Sequence, residues 1–367
     1  MRRQLSSDRR TLTATTAGLT VTANSCSRLH RIGGPMPTTR RNAAQPLVAV
    51  LGTRYADFAI EEELFHPFGA RLVTDPGSSS DRIVAAARDA AVILVGSLPK
   101  LDADVLAELN CRGVVRSGIG TDNIDLAAAE RLGIAVARVA DYGTEAVAFH
   151  AVSLATAALR RLVEADRVVR GGSWGVSSLR PLHLPSAMTA GVVGYGRIGT
   201  QTARNFAGLG FTVQAYDEYV PVRGVRAVGL DQLLATSDVV SLHVPGEPTG
   251  APLLGSAELA GMKYGSVLVN TARGSLVDTD ALTAGLRAGR PAFAALDVFP
   301  TEPPDLAPFA DVADRLITTP HMAWYTEESE ADLRRKAAQE ALRMLRGEPL
   351  REPVVEPAPA GRGGADA

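Results

Sequence analysis

At 367 residues, 46% of them hydrophobic, with a mean hydropathy of +0.06, the chain is long enough for two domains with sizeable cores. A formal net charge of −2 gives no electrostatic reason to expect nucleic acid or an anionic membrane as a partner. Two cysteines, Cys26 and Cys111, indicate neither a disulfide framework nor a metal site, which suits a reducing cytoplasm.

Residues 1–45 differ from everything after them. Arg2, Arg3, Arg9, Arg10, Arg28, Arg31, Arg40 and Arg41 face a single acid, Asp8, with many Ser and Thr and no sustained apolar run. Three readings stand: a disordered or mis-assigned start with Met36 as the initiator, an organelle transit peptide, or a basic interaction arm. The first is preferred. From Leu47 the pattern becomes regular. Strands are expected at Leu47 to Leu51, Arg71 to Thr74, Val92 to Val95, Gly113 to Arg116 and Ile134 to Val139. Helices are expected between them, at Phe58 to Phe65, Asp81 to Asp89 (capped by Ser80 or Asp81), Ala103 to Leu109 and Ile124 to Arg131. This alternation predicts an α/β fold with an open, mostly parallel sheet. Ser117-Gly118-Ile119-Gly120 falls at the carboxyl end of the fourth strand, where such sheets bind ligands. Its amides suit a small anion, and a plain glycine-requiring turn is the ordinary alternative.

Asp141 to Thr144 breaks the pattern, and Tyr142 to Thr144 reads as a hinge. Glu145 to Arg170 then reads as one long, largely apolar helix. Gly191 to Gly199, Gly-Val-Val-Gly-Tyr-Gly-Arg-Ile-Gly, follows as the organising stretch of the second half. Ala190 to Val193 is a strand, Ile198 to Leu209 a helix ended by Gly210, and Phe211 to Tyr216 a second strand with Asp217 straight after it. In this β-α-β unit Gly194 permits the tight turn, Gly196 lets the backbone approach a pyrophosphate, and Gly199 lets helix and strand pack closely. The helix N-terminus offers N–H groups to the phosphates, and Asp217 a carboxylate to a ribose diol. With Glu218 repelling a 2′-phosphate, the expected cofactor is NAD. Further strands are expected at Val239 to His243, Ser266 to Asn270, Ala292 to Asp297 and Leu316 to Thr318. Glu327 to Arg346 reads as an amphipathic helix returning to the first domain, and Pro353 to Ala367 as a disordered tail.

Three chemical side chains fall at or just beyond ends of those strands. Arg273, in Asn270-Thr271-Ala272-Arg273-Gly274, can grip a carboxylate with its planar fork and polarise a neighbouring carbonyl. His321, after Thr319-Pro320, suits proton donation near neutral pH, and Glu302 nearby would raise its pKa and fix its tautomer. Singly these could be a structural ion pair, a core histidine and a solvated acid. Their joint occurrence along one sheet favours a site.

On these motifs the sequence resembles the D-isomer-specific 2-hydroxyacid dehydrogenases over nearly all of Pro46 to Glu352. The resemblance rests on the glycine fingerprint with Asp217, on Met262 to Asp278 (MKYGSVLVNTARGSLVD), on Asp297 with Glu302, on Thr319-Pro320-His321, and on Ser117 to Asp125 (SGIGTDNID). It implies two Rossmann-like domains with parallel sheets. A flavodoxin-like substrate domain would span residues 46–144 and be completed by 325–352, with the NAD-binding domain, 145–324, between them. It also implies a homodimer built mainly through the NAD domains. By resemblance Arg273 binds the substrate carboxylate, His321 is the acid/base, Glu302 its partner, and Gly118, Ile119 and Gly120 give amides to the carboxylate. Arg197 and Ile198 would lie at the pyrophosphate, Val244, Pro245 and Thr271 along the cofactor, and Asp297 at the nicotinamide carboxamide. Ser97 and Trp324 are expected at the substrate. The run His321 to Tyr325 looks like the branch related to the C-terminal binding proteins, where a tryptophan lines the pocket, favouring a bulkier apolar keto acid; interdomain packing is the other reading of Trp324.

The implied activity is NAD-dependent interconversion of a D-2-hydroxy acid and its 2-keto acid, in the cytoplasm, without a metal. Two alternatives stay open: D-3-phosphoglycerate dehydrogenase activity, for which only Lys100 offers an extra cation near Ser97, and an NADH-sensing co-repressor-like binding protein. The end of the chain soon after the last helix argues against the long, serine-inhibited type of phosphoglycerate dehydrogenase. Glu302 argues against a formate dehydrogenase, which carries Gln there.

Overall fold

A computed structural model of the chain describes residues 45–53, 55–246 and 250–356. The readings made for residues 1–44 and 357–367 lie outside the described residues. The first sheet is assembled from β1 (Leu47–Leu51), β2 (Arg71–Asp75), β3 (Val92–Val95), β4 (Gly113–Arg116) and β5 (Ala135–Arg138). Between them run α1 (Ala59–Phe65), α2 (Ser80–Ala87), α3 (Ala103–Ala107) and α4 (Leu126–Arg131). The short helices start where the sequence supplies side-chain caps: Ser79, Asp102 and Asp125 accept the amides of Arg82, Val105 and Ala128. The cap of α2 is thus Ser79, one residue before the expected pair, because its extended backbone lets the hydroxyl turn back over the first turn.

The chain then crosses through α5 (Thr144–Leu159) and α6 (Leu162–Arg170). The single long helix expected there is broken by a 52° bend. No proline or glycine marks the break. Arg161 takes a left-handed conformation, φ 49°, and is fixed by tertiary contacts: its guanidinium donates to the Ser178 carbonyl at 3.0 Å and lies over the Phe293 ring at 4.9 Å. α5 buries Ala151, Val152, Leu154, Ala155 and Ala158, whereas α6 buries no residue.

The second sheet comprises β6 (Thr189–Val193), β7 (Thr212–Tyr216), β8 (Arg226–Ala227), β9 (Val239–Leu242), β10 (Val267–Asn270), β11 (Phe293–Leu296) and β12 (Leu316–Thr318). Its helices are α7 (Arg197–Gly208), α8 (Leu230–Thr236), α9 (Ser256–Gly261) and α10 (Thr279–Ala288). α11 (Glu327–Arg346) and β13 (Pro353–Val355) complete the described chain.

The strand order of the first sheet is β2-β1-β3-β4-β5-β13. Its first five strands are parallel in the flavodoxin-like 2-1-3-4-5 order, and β13 adds antiparallel to β5. The second sheet runs β8-β7-β6-β9-β10-β11-β12, all parallel, which is the dinucleotide-binding order 3-2-1-4-5-6 with one more strand. The expected α/β class with two parallel-dominated sheets is what the chain forms. Both sheets are covered on both faces, so β3, β9 and β10 are buried along their whole length, as continuous apolar runs demand. In the second sheet α5 and α7 close one face around Ala155, Phe206 and Val269, and α8 to α10 the other around Leu233, Leu259 and Leu282.

α11 returns to the first sheet as its amphipathic pattern predicts, burying Leu333, Ala337 and Ala341 against Val48, Val92 and Val115. A buried bidentate pair joins it to α1: Arg334 donates to Glu61 at 2.7 and 3.0 Å, with side chains 7% and 1% exposed. Removing one partner would leave an uncompensated buried charge, a loss of about 3–5 kcal/mol. The disordered tail expected from Pro353 is corrected for its first three residues. They pair with β5, and Val354 and Val355 pack on the core beneath it. A Pro/Gly/Ala-rich composition hid a strand whose partner lies more than 200 residues away. Among the described residues, no single helix is long and apolar enough to cross a membrane.

Candidate active site

The second sheet divides between β6 and β9, where crossovers leave in opposite directions and open a crevice at the strands' carboxyl ends. The glycine fingerprint lines it. Gly194 has φ +91°, and a Cβ there would meet the His243 carbonyl at 2.6 Å; one on Gly199 would lie 1.9 Å from the Gly194 oxygen. Both positions therefore require glycine. A Cβ on Gly196 would meet nothing within 4 Å, so the N-terminus of α7 opens onto free space. Asp217 follows β7. Its carboxylate accepts the Tyr195 amide at 2.6 Å and the Tyr219 and Val220 amides at 2.8 and 2.7 Å. Burial raises its pKa, but these backbone donors outweigh burial and hold the carboxyl below its ordinary range. Val244 packs against Gly194, and the Thr271 hydroxyl, in a residue only 8% exposed, has no hydrogen-bond partner among the described residues. An open helix N-terminus, an acid at the end of β7 and an orphaned buried hydroxyl farther along the sheet fit a dinucleotide.

Arg273, Glu302 and His321 lie beyond β10, β11 and β12 in turn. Asn270 shapes the first loop, its side chain accepting the Ala272 amide at 3.0 Å and donating to the Arg273 carbonyl at 2.8 Å. A Cβ on Gly274 would meet the Phe299 carbonyl carbon at 1.9 Å, so the first and second loops interlock. The Phe299 amide donates to Glu302 Oε1 at 3.1 Å, and Glu302 Oε2 lies 2.7 Å from His321 Nδ1. That contact leaves Nε2 as the nitrogen available to a substrate. Burial alone would raise Glu302, yet its hydrogen bond and charge interaction with His321 bring the carboxyl below its usual value. His321 has φ +51°, a left-handed conformation costing roughly 1–3 kcal/mol for a non-glycine residue.

Residues 152–323 match the profile of the D-isomer specific 2-hydroxyacid dehydrogenase NAD-binding domain. A solved structure from Polaromonas sp., described as an NAD-binding D-isomer specific 2-hydroxyacid dehydrogenase, is 30% identical and superposes with a TM-score of 0.75 over 84% of this chain and 99% of that one. The chain belongs to the D-isomer specific 2-hydroxyacid dehydrogenase family.

Two further members place it within the family. D-3-phosphoglycerate dehydrogenase of Archaeoglobus fulgidus is 36% identical over 299 residues, 79% of this chain and 56% of that protein. The chain spans about half the length of the curated relatives it matches. D-lactate dehydrogenase of Aquifex aeolicus, solved in complex with NAD and lactic acid, is 26% identical, with a TM-score of 0.72 over 85% of this chain and 100% of that one.

The loop at residues 117–120 differs from expectation in one respect. Of the three amides expected to serve a carboxylate, that of Gly118 donates to the Arg116 carbonyl at 2.8 Å. The Ile119 and Gly120 amides have no backbone partner among the described residues. Gly120 lies against Arg273: a Cβ on it would fall 2.1 Å from the Arg273 guanidinium. Asp297 also differs. Its side chain is 1% exposed and accepts the Thr319 hydroxyl at 2.5 Å and the Met322 and Ala323 amides at 2.9 Å each. In this structure it anchors the turn that carries His321. Arg197 is exposed and lies 3.7 Å from Glu352, Ile198 is half-buried at the start of α7, and Pro245 is exposed beside Gly246. Ser97 is exposed beyond β3. Trp324 stacks edge-on with Tyr142 and Tyr325 and touches Gly143, at the crossing between the sheets.

Sequence reasoning missed Arg116 and Asp122. Arg116 projects under the 117–120 loop, its Nη1 bonded to the Ser117 carbonyl and its buried Nε without a hydrogen-bond partner among the described residues. Burial lowers its pKa, and Arg273 is among the charges that act on it. Asp122 Oδ2 lies 3.4 Å from Arg273 Nε. Both sit in or beside the quoted SGIGTDNID stretch, so an isolated charge at the end of an apolar strand was the available signal.

Proposed function

We propose that the chain reduces 2-keto acids to D-2-hydroxy acids with NADH, and catalyses the reverse oxidation. The observation that carries this is the His321–Glu302 pair, with Arg273 near enough for its charge to act on Glu302, along the edge of the sheet whose other half presents the open Gly196 cradle. Bound in that cradle and along Thr271, the nicotinamide cofactor would supply a hydride to the keto carbon. Arg273 would take the substrate carboxylate and offset the charge that develops on the keto oxygen. His321, oriented through Nδ1 by Glu302, would give its Nε2 proton to that oxygen, and in oxidation take it back. The Ile119 and Gly120 amides, against Arg273, would complete the carboxylate grip. Trp324 and Tyr142 give the neighbouring surface an aromatic character, which supports an apolar side chain on the substrate. The buried cation of Arg116 supports the second reading, a phosphorylated 2-keto acid, since a distal phosphate needs charge beyond Arg273.

A homodimer is part of this proposal. Phe149, Leu162, Val169, Trp174, Val176 and Leu184 are exposed along α5, α6 and the segment after them, Trp174 by 90%. Large apolar side chains so placed call for a covering surface, and a second copy offers the same one. A cytoplasmic location is proposed with it; the one described cysteine, Cys111, is free and buried, with its thiol pushed up to about 11 by that burial.

The test is NADH oxidation at neutral pH with glyoxylate, pyruvate, phenylpyruvate and 3-phosphohydroxypyruvate, beside an Arg273→Ala variant. Turnover rising with apolar bulk and collapsing in the variant supports the first reading. Preference for the phosphorylated acid supports the second, and tight NADH binding without turnover on any acid overturns both. Light scattering on the wild type and a Trp174→Asp variant tests the dimer.

A further inference from the structure

α5 carries one histidine, His150, on its packed side, and neither cofactor binding nor proton transfer uses it. Its Nε2 lies 3.2 Å from the Thr319 hydroxyl and 3.7 Å from Asp297 Oδ1. The hydroxyl has one proton, and at 2.5 Å that proton goes to Asp297. Thr319 therefore can only accept from His150, which makes Nε2 the protonated nitrogen. The chain of bonds continues outward. Asp297 accepts the amides of Met322 and Ala323, the two residues after His321, and its carbonyl accepts the His321 amide at 2.9 Å. His321 itself is in the left-handed region, so its backbone persists only because neighbouring contacts impose it. α5 is a stiff base for this network, since it packs on β10, β11 and α7.

We propose that His150 is a positioning residue for the acid/base. Through Thr319 and Asp297 it sets the turn that aims His321 at the substrate, and it touches neither substrate nor cofactor. This rests on the reading of His321 as the proton donor, but one of its two readouts does not.

The experiment compares His150→Leu, which removes the donor at similar bulk, with His150→Gln, whose amide restores one. Thr319→Val and the His150→Leu/Thr319→Val double variant complete the set. Hydrogen–deuterium exchange of the 319–325 peptide reads the turn directly. Faster exchange at Met322 and Ala323 in His150→Leu, reversed in His150→Gln, is expected, with the melting temperature nearly unchanged. In turnover, His150→Leu should lower kcat about tenfold. KM for NADH should hold, Gln should recover most of the rate, and the double variant should be no slower than either single one, as for members of one network. Equal exchange in all forms overturns the proposal whether or not the enzyme turns over. So does additive loss in the double variant, or a His150→Gln variant as slow as His150→Leu. Wild-type protein that turns over no keto acid while showing the exchange pattern overturns the catalytic reading alone.

Discussion

The two sheets have the same kind of switch point, where crossovers diverge, and treat it in opposite ways. In the first sheet it falls between β1 and β3, and it is plugged. A Cβ on Gly52 would meet the Pro99 ring at 2.2 Å, one on Gly77 would meet it at 2.7 Å, and the Asn123 side chain donates to the carbonyls of Gly96 and Pro99. In the second sheet the equivalent crevice, between β6 and β9, is open at Gly196. Topology offers two ligand sites, and side chains keep one. The first sheet then approaches Arg273 through the loop after its fourth strand, whereas the second carries both the nucleotide crevice and the three side chains proposed to react.

This contrast can be broken most directly at the side chains proposed to react. Arg273→Ala and His321→Ala should each cost about a thousandfold in kcat/KM, read by steady-state NADH oxidation. Next in size are Gly199→Ala and Gly52→Ala, which force a Cβ to 1.9 Å of a backbone oxygen and 2.2 Å of a proline ring. Each should lose about 3 kcal/mol by denaturant titration, since neither backbone nor ring can yield. Gly196→Ala sharpens the comparison. It should melt like the wild type, because nothing lies within 4 Å, yet bind NADH at least about tenfold more weakly by fluorescence titration, because its methyl group fills the space a phosphate needs. Unfolding by Gly196→Ala would show that this crevice is as closed as the other.

The smallest effect is a pH dependence. Glu302 has a lowered carboxyl pKa in the folded chain, so its ionised form adds stability above the ordinary carboxylate value. That stability is lost as pH falls through the lowered value. The side chain is 37% exposed, so solvent screens much of it. Melting temperatures of Glu302→Gln and wild type should converge as pH drops below about 4 and differ slightly above about 5. A constant difference across that range would disconnect Glu302 from His321.

Much of the site was legible because it is written at strand ends. The glycine spacing with Asp217, the arginine in NTARG and the histidine after Thr319-Pro320 each follow an apolar run, and a run that ends in a parallel sheet points its next residues at the same edge. Asp297 shows where that logic stops. Its place after a strand was readable, but the burial that turns its carboxylate onto the Met322 and Ala323 amides depends on how a loop 25 residues later folds over it. The break at Arg161 is of the same kind, since Ser178 and the Phe293 ring fix a left-handed residue that no local signal marks.

The sequence by itself determined the alternation of strands and helices, the identity of the nucleotide crevice and the three side chains proposed to react, because periodicity, glycine placement and residue chemistry act over a few neighbouring positions. Tertiary structure alone decided that Pro99 seals the first crevice, that Arg334 and Glu61 bind the return helix to α1, and that Pro353–Val355 finishes the first sheet. Each of these joins residues far apart in the chain, where close packing and not local propensity sets the outcome.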